Sequence, residues 1–498
     1  MQIYEIRPGD SLWAIAQRFG VPLQRIIDLN DPPYLDRLTP GQTLLIPTED
    51  EPQPPTFEYT VQPGDTLWAI SRRFGVTIED ILSLNDIPDP SRIFPGQVLI
   101  IPGAAPPPEP TTYVVQPGDT LWSISQRFGV SLSDLIELND LADPSLIYPG
   151  QTLLIPPRDT PAPTPPPVPG GDGYPAIVNG YITAQGAPDR ERVNQIGYAL
   201  SYLSIFSYTF QPDGTLNTIN DRPAIEAALA QGIGPLLTLT NIVGAGFNSQ
   251  RAHEILNNPE AQQNLIEQLV TEMLTRGYVG INIDFEYVFP EDREPFNQFM
   301  RNLRAALEPE GLLLTSALAP KVSADQVGLL YEAHDYPAHG EIADYVVLMT
   351  YEWGWQGGPP MAIAPLNQVR RVLDYAVTEI PPEKIWMGVP VYARDWAIPW
   401  VQGTRARTFS VQEAVRQTID QGVPIQYDEV AQSPFYRYTI DGQEREVWLE
   451  DARSIEAKLE TAEEYQLAGI SLWNVYGMFP QLWPLLADRL QIQKPALP

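Results

Sequence analysis

The 498-residue chain contains no cysteine. That excludes disulfides, thiolate metal sites and cysteine nucleophiles together, and leaves the chain indifferent to redox compartment. Positive charge is scarce: 31 Lys and Arg stand against 62 Asp and Glu, for a net charge of −31. Lysine occurs only at Lys321, Lys384, Lys458 and Lys494. Such a field repels phosphate backbones and anionic lipid, so nucleic acid and membrane surfaces are poor partners. A neutral or zwitterionic sugar polymer is compatible with it. No run reaches the roughly 18 consecutive apolar residues of a membrane helix, so no membrane insertion is expected. The opening MQIYEIRPGD has no basic stretch followed by an apolar one, and an ordinary secretory signal is not expected. Either the chain is made in a cytoplasm without standard export or it is cut from a longer one. The histidines, His253, His334 and His339, show no HExxH or comparable spacing. Neither a metal nor another cofactor is expected.

What is present is ample material for a core, with 43% apolar residues. At roughly 150 residues per domain the length suggests three or four domains. Internal repetition is the strongest organising feature. Tyr4-EIRPGDSLWAIAQRFGV leads to LTPGQTLLIP, Tyr59-TVQPGDTLWAISRRFGV to IFPGQVLIIP, and Tyr113-VVQPGDTLWSISQRFGV to IYPGQTLLIP. In each, an alternating strand meets a Pro-Gly-Asp turn. In the second repeat Asp65 and Thr66 can cap a helix carrying Leu67, Ile70 and Phe74 at helical spacing. Gly75 stops it, a second helix ends near Asn85, and the PGQ turn leads into Val98–Ile101. The expectation is three small βααβ modules at 1–48, 57–103 and 111–157. A Pro/Gly-rich linker follows at 158–173, its proline part an extended spacer and its glycine part a hinge.

From 174 to 492, short apolar runs alternate with amphipathic helical stretches. The runs are 176–182, 203–210, 234–240, 280–288, 312–319, 344–352, 385–393 and 469–476. Eight strands with helical crossovers fit an α/β (β/α)8 barrel with a small insertion between strands 7 and 8. Chemistry in such a barrel sits at the C-terminal strand ends. There the fourth run places Asn282, Asp284 and Glu286 two residues apart, on one face of a strand. Three polar side chains facing a barrel interior are unfavourable without a purpose. Two carboxylates at that spacing repel when both are ionised, so one holds its proton to higher pH. A neutral carboxylic acid is what protonating a glycosidic oxygen requires; the plainer reading is a solvated acidic strand end. Asn241, after the third run, is a candidate lining residue of the cleft.

The repeats resemble the LysM module over their whole length. That resemblance implies binding of N-acetylglucosamine glycans, peptidoglycan or chitin, in a groove between the loop after the first strand and the loop after the second helix. The groove residues it implies are Gly9, Asp10, Ser11 and Asn30 in the first repeat. The second offers Gly64, Asp65, Thr66 and Asn85, and the third Gly118, Asp119, Thr120 and Asn139. Several weak sites on one chain suit a polymer, through effective concentration. The plainer reading of each residue is a turn or helix cap. Removal of 1–157 is expected to weaken binding to insoluble walls far more than hydrolysis of soluble fragments.

The 174–492 block resembles the glycoside hydrolase family 18 barrel. The family's D-G-x-D-x-D-x-E appears as Val279-Gly280-Ile-Asn282-Ile-Asp284-Phe-Glu286, its M-x-Y-D as Met349-Thr-Tyr351-Glu352, and its Y-x-R as Tyr392-Ala-Arg394. Trp473 matches the tryptophan floor beneath the reacting sugar. The resemblance implies Glu286 as the acid, with Asp284 and Tyr351 holding the substrate acetamido group. Asn282, Met349, Glu352, Tyr392, Arg394 and Trp473 are then substrate-binding. It implies retaining catalysis by the substrate's own acetamido oxygen. Asn282, Val279 and Glu352 each stand where the family has aspartate. Asn282 is expected to hydrogen-bond Asp284 without sharing a proton. These departures, with the 349–365 and 446–458 segments, resemble the spore peptidoglycan branch of the family, whose members are cortical fragment-lytic N-acetylglucosaminidases made in the mother cell. A location in the spore coat, cortex or cell wall follows from that likeness, and no obligate protein partner is expected. A chitinase and a catalytically silent glycan-binding coat protein are the competing readings.

Overall fold

The computed structural model describes residues 1–48, 173–477 and 479–497. Between 51 and 169 it describes the strands Thr56–Thr60, Val98–Pro102, Thr111–Val114 and Thr152–Ile155 and scattered positions between them. The chain divides into two compact units, 51–169 and the remainder.

The larger unit is built on eight parallel strands in the order of the chain. They are Tyr174–Thr183, Tyr202–Phe210, Gly234–Thr240, Gly280–Asp284, Leu313–Leu318, Tyr345–Leu348, Ile385–Pro390 and Gly469–Trp473. Pairing of the first strand with both the second and the eighth closes the barrel. All eight coincide with the apolar runs read from the sequence. The helix Pro259–Arg276 is capped as its sequence dictates. Asn258 accepts from Ala261 N, Gly277 ends the same helix with φ +86°, and Pro259 sits at its first turn. Side chains alternate along each strand. One set packs outward against the helices, as Ile281 and Ile283 do; the other fills the barrel with Tyr202, Leu236, Val347 and Trp386. Between the seventh and eighth strands lies the expected insertion. It is a five-stranded antiparallel sheet with the helix Val411–Gln421.

The first repeat has strands Gln2–Glu5 and Thr43–Ile46 and helices Leu12–Phe19 and Leu23–Asn30. Its antiparallel sheet uses both faces. Tyr4, Leu44 and Ile46 point into the module's own core with Ile15 and Ile26. Ile3 and Leu45 join the core of the barrel. This repeat is therefore not a tethered bead but part of the catalytic unit. Ile425 N donates to Pro40 O (2.9 Å), Arg453 Nη1 pairs with Glu5 (2.6 Å), and the N-terminal ammonium pairs with Asp488 (2.9 Å). Gln481 donates to Asn30 Oδ1 and Thr43 O, both at 2.7 Å. Gly41 fits so closely that a Cβ there would lie 1.9 Å from Ile425 O. In the other repeats the residues equivalent to Leu45 are Ile100, 39% exposed, and Leu154, 40% exposed, against 0% for Leu45. Among the described residues, nothing lies within 4 Å of the Cβ positions of Gly96 and Gly150, the equivalents of Gly41. Their strands pair antiparallel as in the first repeat.

Candidate active site

The fourth strand ends at Asp284, and Glu286 follows in the turn. Asp284 is buried, and its Oδ1 has no hydrogen-bond partner. Burial raises its carboxyl above the ordinary carboxylate range. Glu286 is raised as well, by burial first and then by the negative charges of Asp284 and Glu352. The neutral acid expected from the i, i+2 spacing is thus favoured chiefly by desolvation, with repulsion second.

Asn282 differs from expectation. Its Oδ1 accepts from Tyr181 OH (2.9 Å) and its Nδ2 donates to Thr315 Oγ1 (2.8 Å). Its amide is turned to these two partners, and neither bond reaches Asp284. Tyr181, on the first strand, is buried beside the acid pair, and its phenol is pushed up by burial and then by the charges of Asp284 and Glu286. The sequence signal for it was its place at a barrel strand end.

Glu286, Tyr331, Met349, Tyr351, Glu352 and Trp353 line one cleft. Tyr351 is raised by burial, then by Tyr181 and Asp284. It reaches this place because the seventh strand carries glycine opposite: a Cβ on Gly388 would lie 2.7 Å from the Tyr351 ring. Glu352 has φ +70°. Arg394 grips it with two nitrogens at 2.6 Å each, and Tyr392 OH donates to it. That bidentate pairing leaves Glu352 occupied rather than poised as a nucleophile. Trp473, at the end of the eighth strand, is held edge-on by Tyr181 and Phe206, with ring centroids 5.4 and 4.9 Å away. Asn241 does not face the cleft: it is fully buried against the main chain of Glu286.

In the first repeat Asp10 accepts from Tyr4 OH (2.6 Å) and Arg7 N (2.9 Å), and Ser11 caps the first helix through Ala14 N. Gly9 holds φ +89° in the turn. Asn30 staples helix to strand: its Nδ2 donates to Ile26 O and Leu45 O, and its Oδ1 accepts from Leu45 N. Asn85 repeats the pattern on Ile81 and Ile100. A sugar at this loop would meet backbone, not these amides. The neighbouring Asp31 is engaged by Gln412 Nε2. Gly64, Asp65, Thr66, Gly118, Asp119, Thr120 and Asn139 lie outside the described residues. Among the described residues no group of three or more His, Asp or Glu side chains is placed to hold a metal ion.

Residues 180–477 match the family described as glycosyl hydrolases family 18. The chain belongs to this family, and it is a glycoside hydrolase. Residues 4–47, 59–102 and 113–156 match the LysM domain. The cortical fragment-lytic enzyme of Bacillus subtilis is 39% identical over 430 residues, spanning 77% of this chain and 98% of its own. The putative sporulation-specific glycosylase YdhD of the same organism is 35% identical, covering 86% of this chain and 98% of its own. The crystal structure of the spore cortex-lytic enzyme SleL of Bacillus cereus is 36% identical, with a TM-score of 0.63, and covers 88% of this chain and 99% of that one.

The coupling of Glu352 to Glu286 has a measurable consequence. In Glu352→Gln, Glu286 loses a negative neighbour and faces Arg394 without its counter-ion, so both changes lower its proton affinity. The basic limb of the kcat/KM profile is expected to move to lower pH.

Proposed function

We propose that this family 18 hydrolase is a peptidoglycan N-acetylglucosaminidase of the spore cortex. It cuts the β-1,4 bond after N-acetylglucosamine with net retention. The observation that carries the reading is the pairing of a half-buried, proton-holding Glu286 with the buried Asp284, at a cleft where Glu352 is tied to Arg394. Glu352 is thereby kept from acting as nucleophile, Asp284 is left to meet the substrate's acetamido group, and family 18 is an exception to the two-carboxylate scheme.

Glu286 donates its proton to the leaving glycosidic oxygen as the substrate's acetamido oxygen bonds to the anomeric carbon. Asp284, with Tyr351, orients and polarises that acetamido group; the unpartnered Oδ1 of Asp284 is an acceptor waiting for its N–H. The oxazolinium so formed is opened by water, whose proton Glu286 takes back. Trp473 is the apolar floor beneath the sugar ring. Binding of N-acetylglucosamine glycan by the LysM repeats supplies wall attachment. In the first repeat it uses Gly9, Asp10 and Ser11 with the backbone at Asn30; the corresponding positions are Gly64, Asp65, Thr66 and Asn85 in the second and Gly118, Asp119, Thr120 and Asn139 in the third. The spore location is supported by the relatives' names.

Mass spectrometry of borohydride-reduced products from purified cortex peptidoglycan tests this. New N-acetylglucosaminitol ends are expected. New muramitol ends would overturn the bond assignment, and cleavage confined to chitin oligosaccharides would favour a chitinase.

A further inference from the structure

Ladder pairing of the fourth barrel strand stops just short of its functional end. The last register partners are Thr240 with Asp284 on one side and Ser316 with Ile283 on the other. Immediately afterwards Tyr287 takes φ +54° and the chain turns away. The peptide groups on either side of Glu286 are therefore beyond the sheet, yet they must hold the acid still.

Two buried side chains continue the ladder. Asn241, which follows the third strand, accepts from Glu286 N through Oδ1 (3.0 Å) and donates to Glu286 O through Nδ2 (2.9 Å). Its Nδ2 also donates to Asn248 O (3.1 Å). From the opposite side His334, which follows the fifth strand, reaches Phe285 O through Nε2 (2.9 Å). Its tautomer is set by the backbone: Ala319 N donates to Nδ1 (2.7 Å), so the proton sits on Nε2. Lys321 Nζ donates to His334 O (3.0 Å) and Tyr336 OH to Ala319 O (2.7 Å), which locks the segment carrying the imidazole. Asn241 is 0% exposed and His334 1%. Burial pushes the imidazole down to about 4, with the Lys321 charge adding to the effect, so it stays neutral through the mildly acid and neutral range.

We propose that Asn241 and His334 are positioning residues that set the proton-donating geometry of Glu286 by clamping the main chain on both sides of it. Neither touches the cleft. This rests on the reading of Glu286 as the acid. A misplaced acid harms reactions that need the proton more than reactions that do not. A sugar leaving group needs it; 4-nitrophenolate leaves with little help.

The test compares kcat and KM of wild type and Asn241→Leu on an N-acetylglucosamine oligosaccharide and on its 4-nitrophenyl glycoside. Expected is a loss of kcat of about 100-fold on the oligosaccharide, under about 10-fold on the aryl glycoside, with KM within about 3-fold on both. Equal losses on the two substrates, or none, overturn the proposal. Should the leucine variant not fold, Asn241→Ser is judged by the same ratio. His334→Gln, which retains one acceptor and one donor, is expected to keep far more oligosaccharide activity than His334→Leu; equal activity of the two overturns the His334 arm. Glu286→Gln run alongside separates the two claims. If that variant hydrolyses the oligosaccharide at the wild-type rate, the acid assignment itself fails; if it is inactive and the Asn241 variants show no leaving-group dependence, only the clamp fails.

Discussion

Glu286→Gln is expected to lose turnover of the glycan by roughly 10³-fold while gaining thermal stability at neutral pH. The two effects have one origin. Folding buries the Glu286 carboxyl near Asp284 and Glu352 and raises its proton affinity above that of the unfolded chain. The folded state then binds more protons than the unfolded state between the two pKa values, and stability falls as pH rises through that window. Below the unfolded value, about 4.3, the protonated group contributes fully and carries no penalty. Above it, the penalty grows toward the folded value. Glutamine keeps the shape and cannot ionise, so the variant's advantage is absent near pH 4 and increases toward pH 7 and above. Melting curves of both proteins at pH 4, 5.5 and 7 measure this. A variant less stable than wild type at pH 7 would show that the acid pair is not held against its ionisation.

Removing residues 1–48 is expected to damage the catalytic unit itself. Strand Thr43–Ile46 lies buried, Leu45 packs into the apolar layer between the barrel strands and their helices, and Gly41 seats against Ile425 at the foot of the insertion sheet that carries Arg394. Truncation exposes that core and releases Arg453, Gln481 and Asp488 from their partners. The truncated chain should melt well below the full chain and lose most hydrolysis of soluble fragments. Leu45→Ala alone should cost about 2–5 kcal/mol, the range for a buried leucine. Replacement of 51–169 by a long Gly/Ser linker should leave the rate on soluble fragments near wild type and weaken attachment to insoluble wall. Division of labour therefore does not fall between all three repeats and the barrel. It separates the second and third repeats from a catalytic unit that includes the first. Equal melting temperatures with and without residues 1–48 would contradict this.

The barrel was legible because each strand is an apolar run and each crossover an amphipathic helix. Asp284 and Glu286 were legible because a period of two places them on one face. Docking of the first repeat was signalled only weakly. Its strand TLLI is apolar on both faces, but VLII and TLLI in the other repeats are apolar too, so composition does not single it out. The spacing that puts Asn282 on one face with Asp284 does not give the direction of its amide, which turns to Tyr181 and Thr315, distant in sequence. Asn241 follows a strand end, which in the sequence alone points to the cleft. Its amide turns instead to the backbone of the next strand, a choice fixed by the unpaired peptide groups of Glu286.

In the proposed mechanism the substrate's acetamido group does the work of an enzymic carboxylate nucleophile. The direct measurement is cleavage of two tetrasaccharides that differ only at the sugar whose anomeric bond is cut, one N-acetylated and the other carrying a free amine. The N-acetylated compound should be cleaved and the amine should be inert, although both fit over Trp473. Cleavage of both at similar rates would mean that the enzyme supplies its own nucleophile, and the roles given to Asp284 and Tyr351 would fall with it.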